Sequence, residues 1–164
     1  PDNPKAPKHE YRRDELALLQ LATDEVFARE KDKQYGPIYD QLTTPEFRKK
    51  IRRRDFMKMT VCVETHLGGI DSVDTEDLGF ARKTVQGRTM DTISREVRRS
   101  DTDVREELLF EFDGAEYRLA GLYWHADHPR FHDCIQKLQQ AGPIEAPSTV
   151  PLPAPPADPP VAPH

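Results

Sequence analysis

YGPIYDQLTTPEFRKKIRRRDFMKMTVCVETHLGG, running from Tyr35 to Gly69, is the stretch that decides the fold class. Gly36-Pro37 breaks the chain, and Ile38, Tyr39 and Leu42 predict a helix of one to two turns. Thr43-Thr44-Pro45-Glu46 then reads as a helix restart: a threonine cap, proline at the first helical position and a carboxylate in the first turn. Phe47 and Ile51 face inward from it. Phe56, Met59, Thr60, Val63 and Leu67 recur at i, i+3, i+4 and i+7, which predicts a longer helix with one apolar stripe. Gly68-Gly69 supplies the left-handed residue that ends it.

Upstream, Leu16, Leu19, Ala22, Val26 and Phe27 keep helical spacing, so an amphipathic helix is expected from Lys8 or His9 to about Asp32. Downstream the pattern changes to that of strands. Ile70 to Asp77 reads as a short strand and a polar loop. Phe80 to Val85 and Thr89 to Arg98 flank Gln86-Gly87 as a hairpin. Val104, Leu108, Phe110 and Phe112 alternate up to Asp113-Gly114, and Ala115, Tyr117, Leu119, Gly121 and Tyr123 alternate away from it. A two-residue turn there would pair Phe112 with Ala115, Phe110 with Tyr117 and Leu108 with Leu119 on one apolar face. The opposite face, with Leu109 against Arg118 and Arg105 against Leu122, is expected to be mostly solvated. Asp127 is the expected cap of a last helix whose Phe131, Ile135 and Leu138 point inward. Helices first and then an antiparallel meander give an α+β domain, with N-terminal helices on a curved sheet of about four strands and a short C-terminal helix.

The chain has 164 residues, and both ends fall outside any plausible core. Residues 1–8 form an extended, proline-studded arm, 9–141 the domain, and 142–164 a tail with nine prolines from Pro143 onward. Such a segment favours extended polyproline II conformation and buries no core of its own. No run of eighteen apolar residues exists, so no spanning helix is expected. Position 1 is proline, which suggests a chain trimmed on export and an extracytoplasmic, periplasmic setting. Cys62 and Cys134 each lie in an apolar helical pattern, so two buried thiols are expected ahead of a disulfide.

The order of a long helix, "YGPIYDQL", "TPEFRKKI" and "RDFMKMTVCVETHLGGI", with antiparallel strands after, resembles the NTF2-like (cystatin-like α+β cone) proteins. The likeness is to small exported bacterial members and covers roughly residues 10 to 125. The resemblance implies a cone wrapped by one sheet. Enzymatic members of that superfamily hold a carboxylate or a His/Asp pair inside the cone, with tyrosines to polarise a carbonyl. Here the inward strand positions read phenylalanine, leucine, tyrosine and glycine, which departs from that pattern.

Candidate chemistry is sparse. His125, His128, His132 and Cys134 have ligating side chains but lack the matched ligand spacing a metal site requires, so no metal and no cofactor are expected. Asp71, Asp74, Glu76 and Asp77 lack the order of a calcium loop. Arg48, Lys49, Lys50, Arg52, Arg53 and Arg54 crowd one short stretch in a chain of net charge −5. They read first as a solvated corner, then as a patch for an acidic protein partner; nucleic acid is not expected. Tyr39, Tyr117, Tyr123 and His125 are the candidate pocket residues at the open end of a cone. Pro151, Pro153, Pro155 and Pro156 belong to a tail suited to docking in an aromatic groove or along another subunit. The expected function is that of a non-catalytic accessory subunit, attached by its arms and basic corner to a larger assembly, such as a membrane-embedded electron-transfer complex. The alternative is a small-molecule binder or small enzyme using the open end of the cone.

Overall fold

The structure, a computed structural model, describes residues 8–74 and 79–141. Five helices, α1 (Arg13–Lys31), α2 (Tyr35–Pro37), α3 (Pro45–Lys50), α4 (Arg53–His66) and α5 (Pro129–Ala141), bracket a five-stranded antiparallel sheet. Its strands are β1 (Ile70–Val73), β2 (Ala81–Val85), β3 (Arg88–Arg99), β4 (Asp103–Phe112) and β5 (Tyr117–His125). β4 pairs with β3 and β5, while β1 and β2 share the other edge of the long β3. The expected count of about four strands is therefore one short.

Local chemistry explains the helical half. α2 runs directly into a π-helical turn at Ile38–Leu42. The Thr44 hydroxyl accepts the Phe47 N–H and Pro45 occupies the first turn of α3, as the restart signal predicts. Phe56, Met59, Thr60, Val63 and Leu67 are all buried. Gly68 follows at φ +87°, where a Cβ would lie 1.9 Å from the Ser100 hydroxyl oxygen, so glycine is required for conformation and for space. α1 begins later than expected. Its buried stripe is Leu19, Thr23, Val26, Phe27 and Glu30; Leu16 sits one turn before the first core contact and is exposed.

The β2–β3 hairpin turns through Gln86 (φ 52°) and Gly87 (φ 78°), the left-handed pair that a two-residue turn needs. The β4–β5 hairpin does not. Phe112 pairs with Tyr117 rather than Ala115, so Asp113 to Glu116 form a longer loop. The Asp113 carboxylate closes it by accepting the N–H groups of Ala115 and Glu116 and by pairing with Arg118. Those backbone donors, with Arg118, push its pKa down to about 2.

The register then shifts at Leu109/Phe110: Phe110 faces Leu119 and Leu109 faces Gly121, which leaves Ala120 as an extra residue in β5. Inside and outside exchange beyond that bulge. Leu122 and Trp124 become fully buried, while Tyr123 and His125 turn to the outer face. The expectation that Leu109 and Leu122 are solvated is corrected by the same shift, since both are buried.

α5 packs on α4, and Cys62 and Cys134 form a disulfide between them with 5.8 Å between their Cα atoms, in place of the two thiols expected. Both sulfurs lie on the helix–helix seam, so helical burial and proximity go together. Phe131 and Ile135 are buried as predicted. The cap is different: the His128 ring nitrogen Nδ1, not Asp127, accepts the Phe131 N–H.

Candidate functional site

The inner face of β3 alternates Asp91, Ile93, Arg95, Val97 and Arg99, all of them buried. Every second inward position of this strand carries a charge. Burying a charge is costly without partners, so the surroundings of these three side chains decide what the interior can do.

Arg99 is sealed. It donates to Glu30 (2.8 Å), to Glu106 (2.9 and 3.2 Å), to Glu64 (3.2 Å) and to the Gly68 carbonyl (2.8 Å). Tyr35 adds a short hydrogen bond to Glu64. Burial alone would lower the Arg99 pKa, but Glu106 and Glu30 hold it above the ordinary arginine value. One guanidinium faces three carboxylates, and burial together with the charge of Glu106 raises the Glu30 pKa well above the usual range. The cluster is a buried structural joint between α1, α4, β3 and β4.

Arg95 stacks over the Phe27 ring at 5.1 Å, and burial lowers its pKa.

Asp91 stands where β3 pairs with β2. Its cross-strand partner Arg82 donates to both of its oxygens (2.9 and 3.2 Å) and to Glu15 (3.2 Å). Tyr11 donates to Asp91 at 2.5 Å, while His9 lies 3.4 Å from Glu15. Burial, then Asp91, raises the Tyr11 pKa, so its phenol stays a hydrogen-bond donor through neutral pH. Asp91, Arg82 and Glu15 floor a cleft of about 450 Å³ that also takes in Thr89, Leu18, Phe112 and Tyr117. Phe112 is 49% exposed and Leu18 is also exposed, both at the rim. A second cleft of about 590 Å³, walled by Arg48, Arg88 and Arg118, shares Glu111 and Phe112 with the first. Its cations are held: Arg88 by Glu111, Arg118 by Asp113, Arg48 by the Thr43 carbonyl. Such a surface offers apolar contact and fixed polar groups, without a nucleophile paired with a base in the lining of either cleft.

The four candidate pocket residues do not converge. The Tyr39 hydroxyl donates to the Ile51 carbonyl at 2.6 Å, and its ring packs on Phe47 and Phe56 in the helical core. Tyr117 alone lines the Asp91 cleft. Tyr123 and His125 stack on the outer face, with His125 3.4 Å from Glu107. The basic run splits as well. Lys49 pairs with Glu46, Arg52 with Asp55 and Arg53 with Asp40, while Lys50 reaches Gln86. Arg54 lies on an outer trough of α4. The His132 ring nitrogen Nε2 donates to the Ala126 carbonyl at 2.7 Å, and Cys134 is in the disulfide; no metal-holding group occurs among the described residues. Pro151, Pro153, Pro155 and Pro156 lie outside the described residues, as does most of each arm.

The residues missed by sequence reading are Glu30, Glu106, Arg99, Asp91 and Arg82. Comparison of the chain with family models, with curated proteins and with solved structures finds no match. No helix among the described residues is long and apolar enough to cross a membrane.

Proposed function

We propose that this chain is a non-catalytic accessory subunit working outside the cytoplasm, an NTF2-like cone whose hollow is filled. The observation that carries the reading is the pairing of Leu18 and Phe112, apolar and exposed, at the rim of a cleft whose charged side chains are already ion-paired. Leu21, one turn along α1 and 67% exposed, extends that edge. An apolar centre with a satisfied polar surround is the composition of a protein-docking surface. The partner is a protein segment that places an aliphatic or aromatic side chain against Phe112. The disulfide supports the compartment, since such bonds persist in oxidising surroundings.

The test compares the wild-type chain with Leu18→Asp and Phe112→Asp in periplasmic extracts, by size-exclusion chromatography with light scattering. A complex with the wild-type chain that both variants lose is expected. A monomer in every sample, or a complex indifferent to both substitutions, overturns the reading.

The alternative, a small-molecule site in the same cleft, is favoured by one observation: Asp91, Arg82 and Glu15 form a fixed polar floor beneath the aromatic rim. The cleft falls in the ordinary size range of ligand pockets. Under that reading, Asp91→Asn abolishes ligand-induced thermal stabilisation while Leu21→Asp leaves it unchanged.

A further inference from the structure

Phe112 aside, the exposed large apolar side chains among the described residues lie on two helices: Leu16, Leu18 and Leu21 on α1 and Val61 on α4. Charge sorts the two faces. Glu25 follows Leu18 and Leu21 at helical spacing, so it stands on their stripe, with Asp24 beside it. Both acids are exposed; Asp24 takes a hydrogen bond from Gln20, and Glu25 meets Arg29 at 3.4 Å. On α4, Arg54 and Lys58 precede Val61 at the same spacing and, with Arg53 and Met57, line a shallow trough of about 580 Å³. Arg53 is engaged by Asp40, whereas Arg54 and Lys58 join no ion pair among the described residues. One helix therefore shows leucines beside acids, the other a valine beside free cations.

The faces match in length as well as in sign. Leu18 to Glu25 and Arg54 to Val61 each span about 10 Å of helix. Both are exposed on the same chain, so neither serves the other within one copy. Charge also sets the direction of a meeting between copies. With the helices parallel and Val61 between Leu18 and Leu21, Arg54 would lie against Arg12 and Arg13. Antiparallel, the same apolar contact sets Lys58 and Arg54 on either side of Glu25, and the two helix dipoles oppose favourably.

We propose that the occupant of the α1 edge is a second copy of this chain, whose α4 lays Met57 and Val61 against Leu18 and Leu21 and clasps Glu25 between Arg54 and Lys58. The inference rests on the docking role given to that edge above and names its partner. Two unlike faces meet, so the contact is head-to-tail and can repeat from copy to copy.

The purified full chain is followed by sedimentation velocity over a concentration series, and the wild-type chain is expected to form dimers or larger species. Lys58→Glu and Glu25→Lys are each expected to raise the dissociation constant about tenfold, because reversal turns an attraction into a repulsion. Both changes carried in one chain restore the wild-type value, since each copy then offers a lysine to its neighbour's glutamate. Urea midpoints of all three variants are expected to match the wild-type chain. A wild-type chain that stays monomeric throughout, or a double variant that associates no more tightly than either single one, overturns the proposal. So does a monomeric purified chain whose complex in periplasmic extracts is still lost on Leu18→Asp and Phe112→Asp; that outcome leaves the α1 edge a docking surface and gives it to a different protein.

Discussion

Arg99 and Arg82 face the same interior from adjacent strands of one sheet, and each meets carboxylates. Their settings differ in what lies above them. Around Arg99, α1 and α4 close from both sides, the guanidinium is fully buried, and it meets three acids. Around Arg82, α1 supplies its N-terminal turn and the segment before it, so the pair with Asp91 remains open to a cleft. The comparison teaches that charge inside this fold is not by itself a site. Burial turns the Arg99 cluster into a joint, whereas partial access leaves the Asp91 cluster able to meet a ligand or a partner.

The largest expected effect lies at the joint. Arg99→Met should cost about 3–5 kcal/mol in urea unfolding, because it strands buried carboxylates without their cation. Adding Glu30→Gln and Glu106→Gln to it should restore most of the loss; wild-type stability in the single variant would mean the joint is solvated after all. At the Asp91 cleft the effect is smaller. Asp91→Asn should cost about 1–3 kcal/mol and weaken the hold of Arg82. It should also lower the Tyr11 phenol pKa, read by ultraviolet absorbance during a pH titration, since Asp91 contributes to raising it.

Glu30 separates the two regions by pH. Its folded pKa lies above its unfolded value, so the native state binds the extra proton and stability falls as pH rises through that window. Glu30→Gln does not titrate, so its stability should gain on the wild-type chain as pH rises, measured by denaturant unfolding between about pH 5 and 8. A constant difference across that range would show that Glu30 is ionised throughout. The smallest effect is expected at the rim: Phe112→Ser should change stability by no more than about 0.5 kcal/mol, although it removes the proposed contact.

Much of the helical half is legible in the chain, because caps and stops are local chemistry: Thr44, Pro45 and Gly68 each act where they stand. The sheet is legible in its existence and less so in its phase. The loop closed by Asp113 moves the β4–β5 pairing by two residues, which preserves the inward face, and the bulge at Ala120 then inverts it. Nothing in the identity of Ala120 marks an inserted residue. The charged interior was within reach of parity alone. Glu106 falls between Val104 and Leu108 on the face that was assigned to the core, and Asp91, Arg95 and Arg99 share the phase of Ile93 and Val97. Glu30 continues the stripe of Val26 and Phe27. Each looks solvated when read singly; for Asp91, Arg99, Glu106 and Glu30 the compensating partners come from other elements of the fold.

The disulfide has a topological consequence. Its two cysteines are 72 positions apart in the sequence, and all five strands lie between them. Peptide-bond scission anywhere in that interval, including the connection between β1 and β2, yields two pieces that still migrate as one until a reductant is added. The domain therefore tolerates a broken backbone as a linked heterodimer of its own fragments.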